Sequence, residues 1–165
     1  MKKIISLVAL ATTISLAAQA QFTQAKLKAN GLTCSMCSFA TQKQLKTISF
    51  IDSIGTDLNN TTFILYFKKN AVINSQLIKQ KVQDAGFAVG MLVYSIEFKK
   101  EVLTNNQFKY NNTTYVIHSP NITTLNGNVE FKVIDKEFVT AKEFKKYKKQ
   151  IASTTGNSYV NVIIQ

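Results

Sequence analysis

The order strand, helix, strand, strand, helix, strand between Ala25 and about Phe98 predicts an α+β chain that begins with a ferredoxin-like βαββαβ sandwich. Three observations carry the prediction. Apolar residues alternate or run on at strand lengths, two stretches show helical apolar spacing, and polar or glycine breaks fall between them. Residues 101–165 read as a small β-rich domain with one helix, of unknown role. Residues 1–20 read as a signal peptide, which makes the predicted division 1–20, 21–100 and 101–165.

Lys2 and Lys3 form a basic start, and Ile4 to Ala18 is apolar with a few Ser and Thr. Ala18-Gln19-Ala20 is a small-x-small signal that predicts cleavage after Ala20. The apolar stretch is shorter than the ~20 residues of a spanning helix. No cysteine follows it as in a lipoprotein, and no later segment has the character of a membrane span. The expected location is periplasmic or secreted, without stable membrane insertion after cleavage.

From Ala25 to Asn30, Ala25, Leu27 and Ala29 alternate with polar residues, the pattern of a half-buried strand, and Gly31 breaks it. Thr33 is the expected N-cap of a helix from Ser35 to about Ile48, its apolar stripe running through Met36, Phe39 or Ala40, Leu45 and Ile48. Phe50 to Leu58 reads as a second strand and Asn59-Asn60-Thr61-Thr62 as a turn. Phe63 to Phe67 is apolar throughout, a third strand. Asn74 or Ser75 caps a second helix through Asp84, with Leu77, Ile78 and Val82 facing the core. Gly86 ends it, and Phe87 to Phe98 is a fourth strand.

Beyond Glu101, Phe108 to Tyr110 and Tyr115 to Ile117 flank Asn111-Asn112-Thr113-Thr114, a predicted hairpin. Asn126-Gly127-Asn128 is a further turn signal and Val129 to Ile134 a strand. Thr140 to Ile151 reads as a lysine-rich helix whose apolar side is supplied by Phe138, Phe144, Tyr147 and Ile151, and Ser158 to Ile164 as a closing strand. No Pro or Gly linker separates the two parts. The second part is expected to fold without binding metal.

The chain carries 20 basic and 9 acidic residues, a net charge of +11, and every basic residue is lysine. Loss of Lys2 and Lys3 with the signal peptide leaves +9. Arginine is the usual residue for bidentate contacts to phosphate and guanine, so an exported basic chain without it does not read as a nucleic-acid binder. The lysines favour acidic partners or anionic surfaces. No paired carboxylates, Ser-His-Asp set or Gly-rich phosphate loop points to catalysis, and the chain is not expected to be an enzyme. His118, the only histidine, is expected to be a packed or surface residue.

Cys34 and Cys37 are the only cysteines, in the run Gly31-Leu32-Thr33-Cys34-Ser35-Met36-Cys37 where a strand gives way to a helix. A helix N-terminus favours thiolate charge. The loop they close is too short to stabilise a fold by chain entropy, which points to a chemical role. The spacing alone serves soft-metal binding and disulfide exchange alike. Against disulfide exchange, no tryptophan precedes the pair, and Pro120, the only proline, lies far from it.

Gly31 to Cys37, the βαββαβ order and Asp84-Ala85-Gly86-Phe87 together resemble the heavy-metal-associated domain family, which includes small copper chaperones and modules of copper-transporting ATPases. The resemblance covers about half of the mature chain and none of residues 101–165. Leu32 stands where methionine is usual, a swap that conserves volume. The resemblance implies that Cys34 and Cys37 ligate the metal, with Thr33, Met36 and Phe87 around them and Phe87 beside the loop. Cu(I) prefers thiolate sulfur, whereas Zn(II) seeks four ligands. Thr33 also precedes Cys34 where an aspartate would suit a divalent ion. The expected cargo is Cu(I), with Zn(II) or another soft metal as the alternative. The expected role is that of a monomeric metallochaperone-like carrier that exchanges metal with a donor or acceptor protein. A periplasmic thiol-disulfide oxidoreductase using the same cysteines is the alternative.

Overall fold

The computed structural model describes residues 20–57, 60–120, 122–151 and 158–165. The expected signal peptide, apart from Ala20, lies outside the described residues, as do Leu58 and Asn59. The elements are β1 (Gln21–Asn30), α1 (Ser35–Leu45), β2 (Ile51–Asp57), β3 (Thr62–Phe67), α2 (Ser75–Asp84), β4 (Ala88–Val102), β5 (Gln107–Tyr110), β6 (Thr113–Ile117), β7 (Thr124–Val133), α3 (Ala141–Ile151) and β8 (Tyr159–Ile164).

The strands form one mixed sheet in the order β2-β3-β1-β4-β7-β8-β6-β5. Its first four strands are antiparallel neighbours and keep the predicted βαββαβ order. The sheet is larger than the predicted sandwich, because β4 continues to Val102 and pairs from Val93 onward with β7. The line drawn at residue 100 therefore falls inside a strand. Leu92 to Ile96 of β4 are all buried, as befits a central strand with both faces covered. One core runs through both parts, from Leu27, Leu65 and Ile78 to Phe108, Phe131 and Val162.

That continuity requires a strong curl. Phe22 of β1 and Tyr115 of β6 are four strand steps apart, roughly 19 Å along a flat sheet. Their ring centroids lie 5.3 Å apart. Phe98 of β4 and Phe108 of β5 are equally distant in order and meet edge to face at 5.2 Å. The β5–β6 hairpin thus folds back over the core face, and the Tyr110 hydroxyl donates to the Ala71 carbonyl ahead of α2 at 2.9 Å. Inside this core the Tyr94 and Ser75 hydroxyls share a hydrogen bond of 2.8 Å, which satisfies two buried polar groups. Helix α3 lies on the opposite face. Its Glu143 pairs at 2.6 Å with Lys132, which alternates along β7 with the core residues Phe131 and Val133.

Several boundaries differ from the sequence reading. β1 begins at Gln21 rather than Ala25, and a register shift between Phe22 and Gln24 hides the alternation there. α1 ends at Leu45, with Ile48 buried in the turn beyond it. Asn126-Gly127-Asn128 is not a turn between strands but part of β7. Gly127, at φ +70°, pairs with Phe98 beside an irregularity in the β4 register.

Candidate metal centre

Three connections meet at the cysteine loop. β1 ends at Asn30, and Gly31 takes φ +86°, a left-handed conformation that suits glycine. Gly31 also lies against an aromatic ring: a Cβ there would sit 3.7 Å from the Phe87 Cδ1. Phe87 is delivered to this place by the end of α2. The Gly86 N–H donates to the Gln83 carbonyl at 2.8 Å and the Phe87 N–H to the Val82 carbonyl at 3.1 Å. With Gly86 at φ +88°, this is a Schellman motif. The tetrapeptide Asp84-Ala85-Gly86-Phe87 therefore has a mechanical reading. It stops α2 and wedges an aromatic ring beside the loop, with Leu32 also half-buried against the core.

The cap of α1 is Cys34, not the expected Thr33. Cys34 has extended backbone angles, φ −135° and ψ 154°, and its Sγ accepts the Cys37 N–H at 3.1 Å. The sulfur takes the place an oxygen usually fills at a helix N-terminus. Thr33 lies one residue outside the cap and is exposed. Cys34 and Cys37 are joined by a disulfide, their Cα atoms 5.3 Å apart. Cys34 is exposed and Cys37 half-buried, so the pair faces solvent just beyond the end of β1.

Below the pair, Cys37, Thr41 and Leu45 form the inward stripe of α1 at four-residue spacing. Thr41 is wholly buried, and its hydroxyl donates to the Cys37 carbonyl at 3.0 Å. The stripe expected through Met36 and Phe39 is not the buried one. Met36 is 71% and Phe39 60% exposed, because both lie well around the helix from Thr41 and Leu45. Met36 thus sits between the cysteines with its side chain in solvent. A hollow of about 240 Å³ opens beside Cys34, walled by Ser38, Thr56, Thr61 and Phe63. Thr56 and Thr61 carry no local signal of a role here, and they come to the site because β2 and β3 pair beside it.

Among the described residues no group of three His, Cys, Asp or Glu side chains converges anywhere. The donors available at this site are therefore two sulfurs, ringed by hydroxyls and free of neighbouring carboxylates. Such a set fits a soft ion of low coordination number better than one that needs four ligands from a single chain. His118 lies elsewhere, on the far strands, where its Nε2 is 2.7 Å from the Asn161 Oδ1. Asn161 donates its Nδ2 to the Asp135 Oδ1 at 2.7 Å, so its Oδ1 accepts and His118 Nε2 carries the proton. The imidazole is a packed residue in a polar network, remote from the cysteines in the sheet order.

No family model matches this chain, and no curated protein does. Solved structures similar to part of it include the yeast copper transporter domain CCC2A, determined in solution in apo and Cu(I)-loaded states. That likeness has 22% identity and a TM-score of 0.35, over 39% of this chain and 88% of that one. The N-terminal domain of ZntA in its apo form is similar at 13% identity and a TM-score of 0.36, over 41% of this chain and 89% of that one.

Proposed function

We propose that the reduced chain carries one Cu(I) on Cys34 and Cys37 outside the cytoplasm, exchanging it with a donor or acceptor protein and catalysing nothing. The observation that carries this reading is the exposed helix N-terminus built from the cysteines themselves. Cys34 Sγ already accepts an amide hydrogen, and the start of α1 supplies positive potential to both sulfurs. Reduction of the disulfide yields two thiolates held at one end of a rigid helix. With no third ligand from this chain among the described residues, the metal stays open to attack by a partner's thiolate. Phe87 and Leu32 buttress the loop from below, while Met36 and Phe39 offer apolar surface to whatever docks there. Export is consistent with the position of β1, since removal of residues 1–20 leaves every described strand intact.

Anaerobic titration of the reduced mature protein with Cu(I), followed by elemental analysis, tests the proposal. One Cu(I) per chain is expected, and Cys34→Ser and Cys37→Ser should each abolish tight binding. Tight binding by the double variant refutes the assignment. The disulfide itself favours a second reading, a thiol-disulfide oxidoreductase. Insulin reduction above that of a cysteine-free control, abolished by Cys34→Ser, would replace the carrier with the enzyme.

A further inference from the structure

A second cavity, outside the cysteine site, opens between α3 and the start of β4. Its volume is about 510 Å³, within the 300–1,000 Å³ typical of small-molecule sites. Buried Val89 and Val139 and half-buried Phe144 give it an apolar wall. Lys136, Lys145 and Lys148, all exposed, line it as well. One carboxylate, Glu137, also lines the cleft, but it pairs with Lys79 at 2.8 Å, and Glu143 pairs outside it with Lys132 at 2.6 Å. None of the three lining lysines forms an ion pair among the described residues. With three lysines against one carboxylate, the cleft combines apolar surface with an excess of positive charge.

We propose that this cleft binds a small amphiphilic carboxylate, an alkyl chain or aryl ring bearing one anionic head. The apolar body lies against Val89, Val139 and Phe144 and removes that surface from water. The head meets Lys145 and Lys148, which are three residues apart and so neighbours on α3. A bare inorganic anion would leave the apolar wall wet, and a neutral hydrocarbon would leave the ammonium groups unanswered. Asn30, the last residue of β1, also lines the cleft, which places the ligand at the end of the sheet where Gly31 begins the cysteine loop.

The test is calorimetric titration of the full mature chain with dodecanoate below its micellar concentration, with dodecanol and acetate as comparisons. Saturable binding of one dodecanoate per chain is expected, with dodecanol and acetate each at least about tenfold weaker. The double variant Lys145→Glu/Lys148→Glu should weaken dodecanoate by about tenfold or more. Lys142→Glu/Lys146→Glu makes the same change in charge on the same helix outside the cleft, and should leave affinity within about twofold. No saturable binding overturns the proposal. So does equal binding of dodecanol, which would mean the lysines do not read the head. Equal weakening by both double variants would reduce the effect to net charge and overturn it too. Cu(I) titration of the same variants is independent of all these outcomes.

Discussion

The side-chain amide of Asn30 occupies the space that a Cβ on Gly90 would fill. Asn30, the residue before the cysteine loop, pairs in register with Ala88, and Gly90 lies at the register shift between Lys28 and Ala29. Gly90 is not in a left-handed conformation, and the three atoms nearest to a Cβ there all belong to Asn30. Gly90→Ala alone should gain nothing, because Asn30 must swing away. In an Asn30→Ala background the same change should stabilise by about 0.4–1 kcal/mol, through the unfolded chain's lost freedom. Urea unfolding of the four variants in a double-mutant cycle checks this, and additivity would show that the contact has no energetic weight.

Phe22 touches Tyr94, Tyr110 and Tyr115 and so joins the strands on either side of the predicted boundary. Phe22→Ala should destabilise by about 3–5 kcal/mol. Hydrogen exchange should show protection falling together in β3 and in β6. Loss confined to one of them would mean that the two parts unfold independently. For the same reason a chain ending at Lys100, stripped of β7 and of the rings packed on Phe22 and Phe98, should aggregate or unfold.

Acid titration separates two carboxylates with opposite signs. Burial raises the Asp135 carboxyl above the ordinary carboxylate range, against the hydrogen bonds it receives from Asn161. A raised folded pKa means that the associated stability is complete below the unfolded value, ~3.9, and is lost as pH rises through the folded one. Asp135→Asn removes that dependence, so wild type should lose ground against the variant as pH rises from about 4. Breaking the bonds to Asn161 should itself make the variant less stable by about 1–3 kcal/mol.

Glu137 runs the other way. Its hydrogen bond from Lys79, and then the Lys79 charge, hold the carboxyl below its usual range. Its contribution is present above the unfolded value, ~4.3, and is lost as pH falls through the folded one. Lys79→Met should flatten the acid limb of stability without altering the limb set by Asp135. An unchanged acid limb would show that the pair is too exposed to matter, as many surface pairs are.

Oxidation state should gate the cysteine site. With Cys34 and Cys37 joined, neither sulfur is a thiolate. The oxidised protein should therefore take up no Cu(I) until a reductant such as a phosphine opens the bond. Uptake by fully oxidised protein, verified by the absence of free thiol, would move the site away from the pair.

The elements that were legible are those whose signals are local. Asn74 caps α2 as its side chain predicts, with the Leu77 N–H donating to its Oδ1 at 3.0 Å. Gly86 ends that helix, and the hairpin of Gln107–Tyr110 with Thr113–Ile117 lies where its turn residues put it. What escaped was set by distant partners. Nothing near Phe22 reveals that Tyr115 will cover it. The same is true of Gly127, whose turn character in the sequence is spent on a bend inside β7 opposite Phe98. Met36 and Phe39 looked like core because helical spacing counts apolar residues without knowing which side faces the sheet. The cysteine site was legible as a pair, but its wall of threonines was not.

The place of β8 has a consequence for the order of assembly. It is the latest of the described strands in the chain, yet it lies between β7, antiparallel to it, and β6, parallel to it. The β5–β6 hairpin is synthesised more than forty residues before Ile163 and Ile164, but among the described residues it joins the rest of the sheet only through β8. Until β8 is in place, β6 and β7 both present open edges. Assembly thus closes as a zip fastener does, with the open slot filled by the last of the described strands, and until then the protein stays receptive to any extended segment that reaches the slot first.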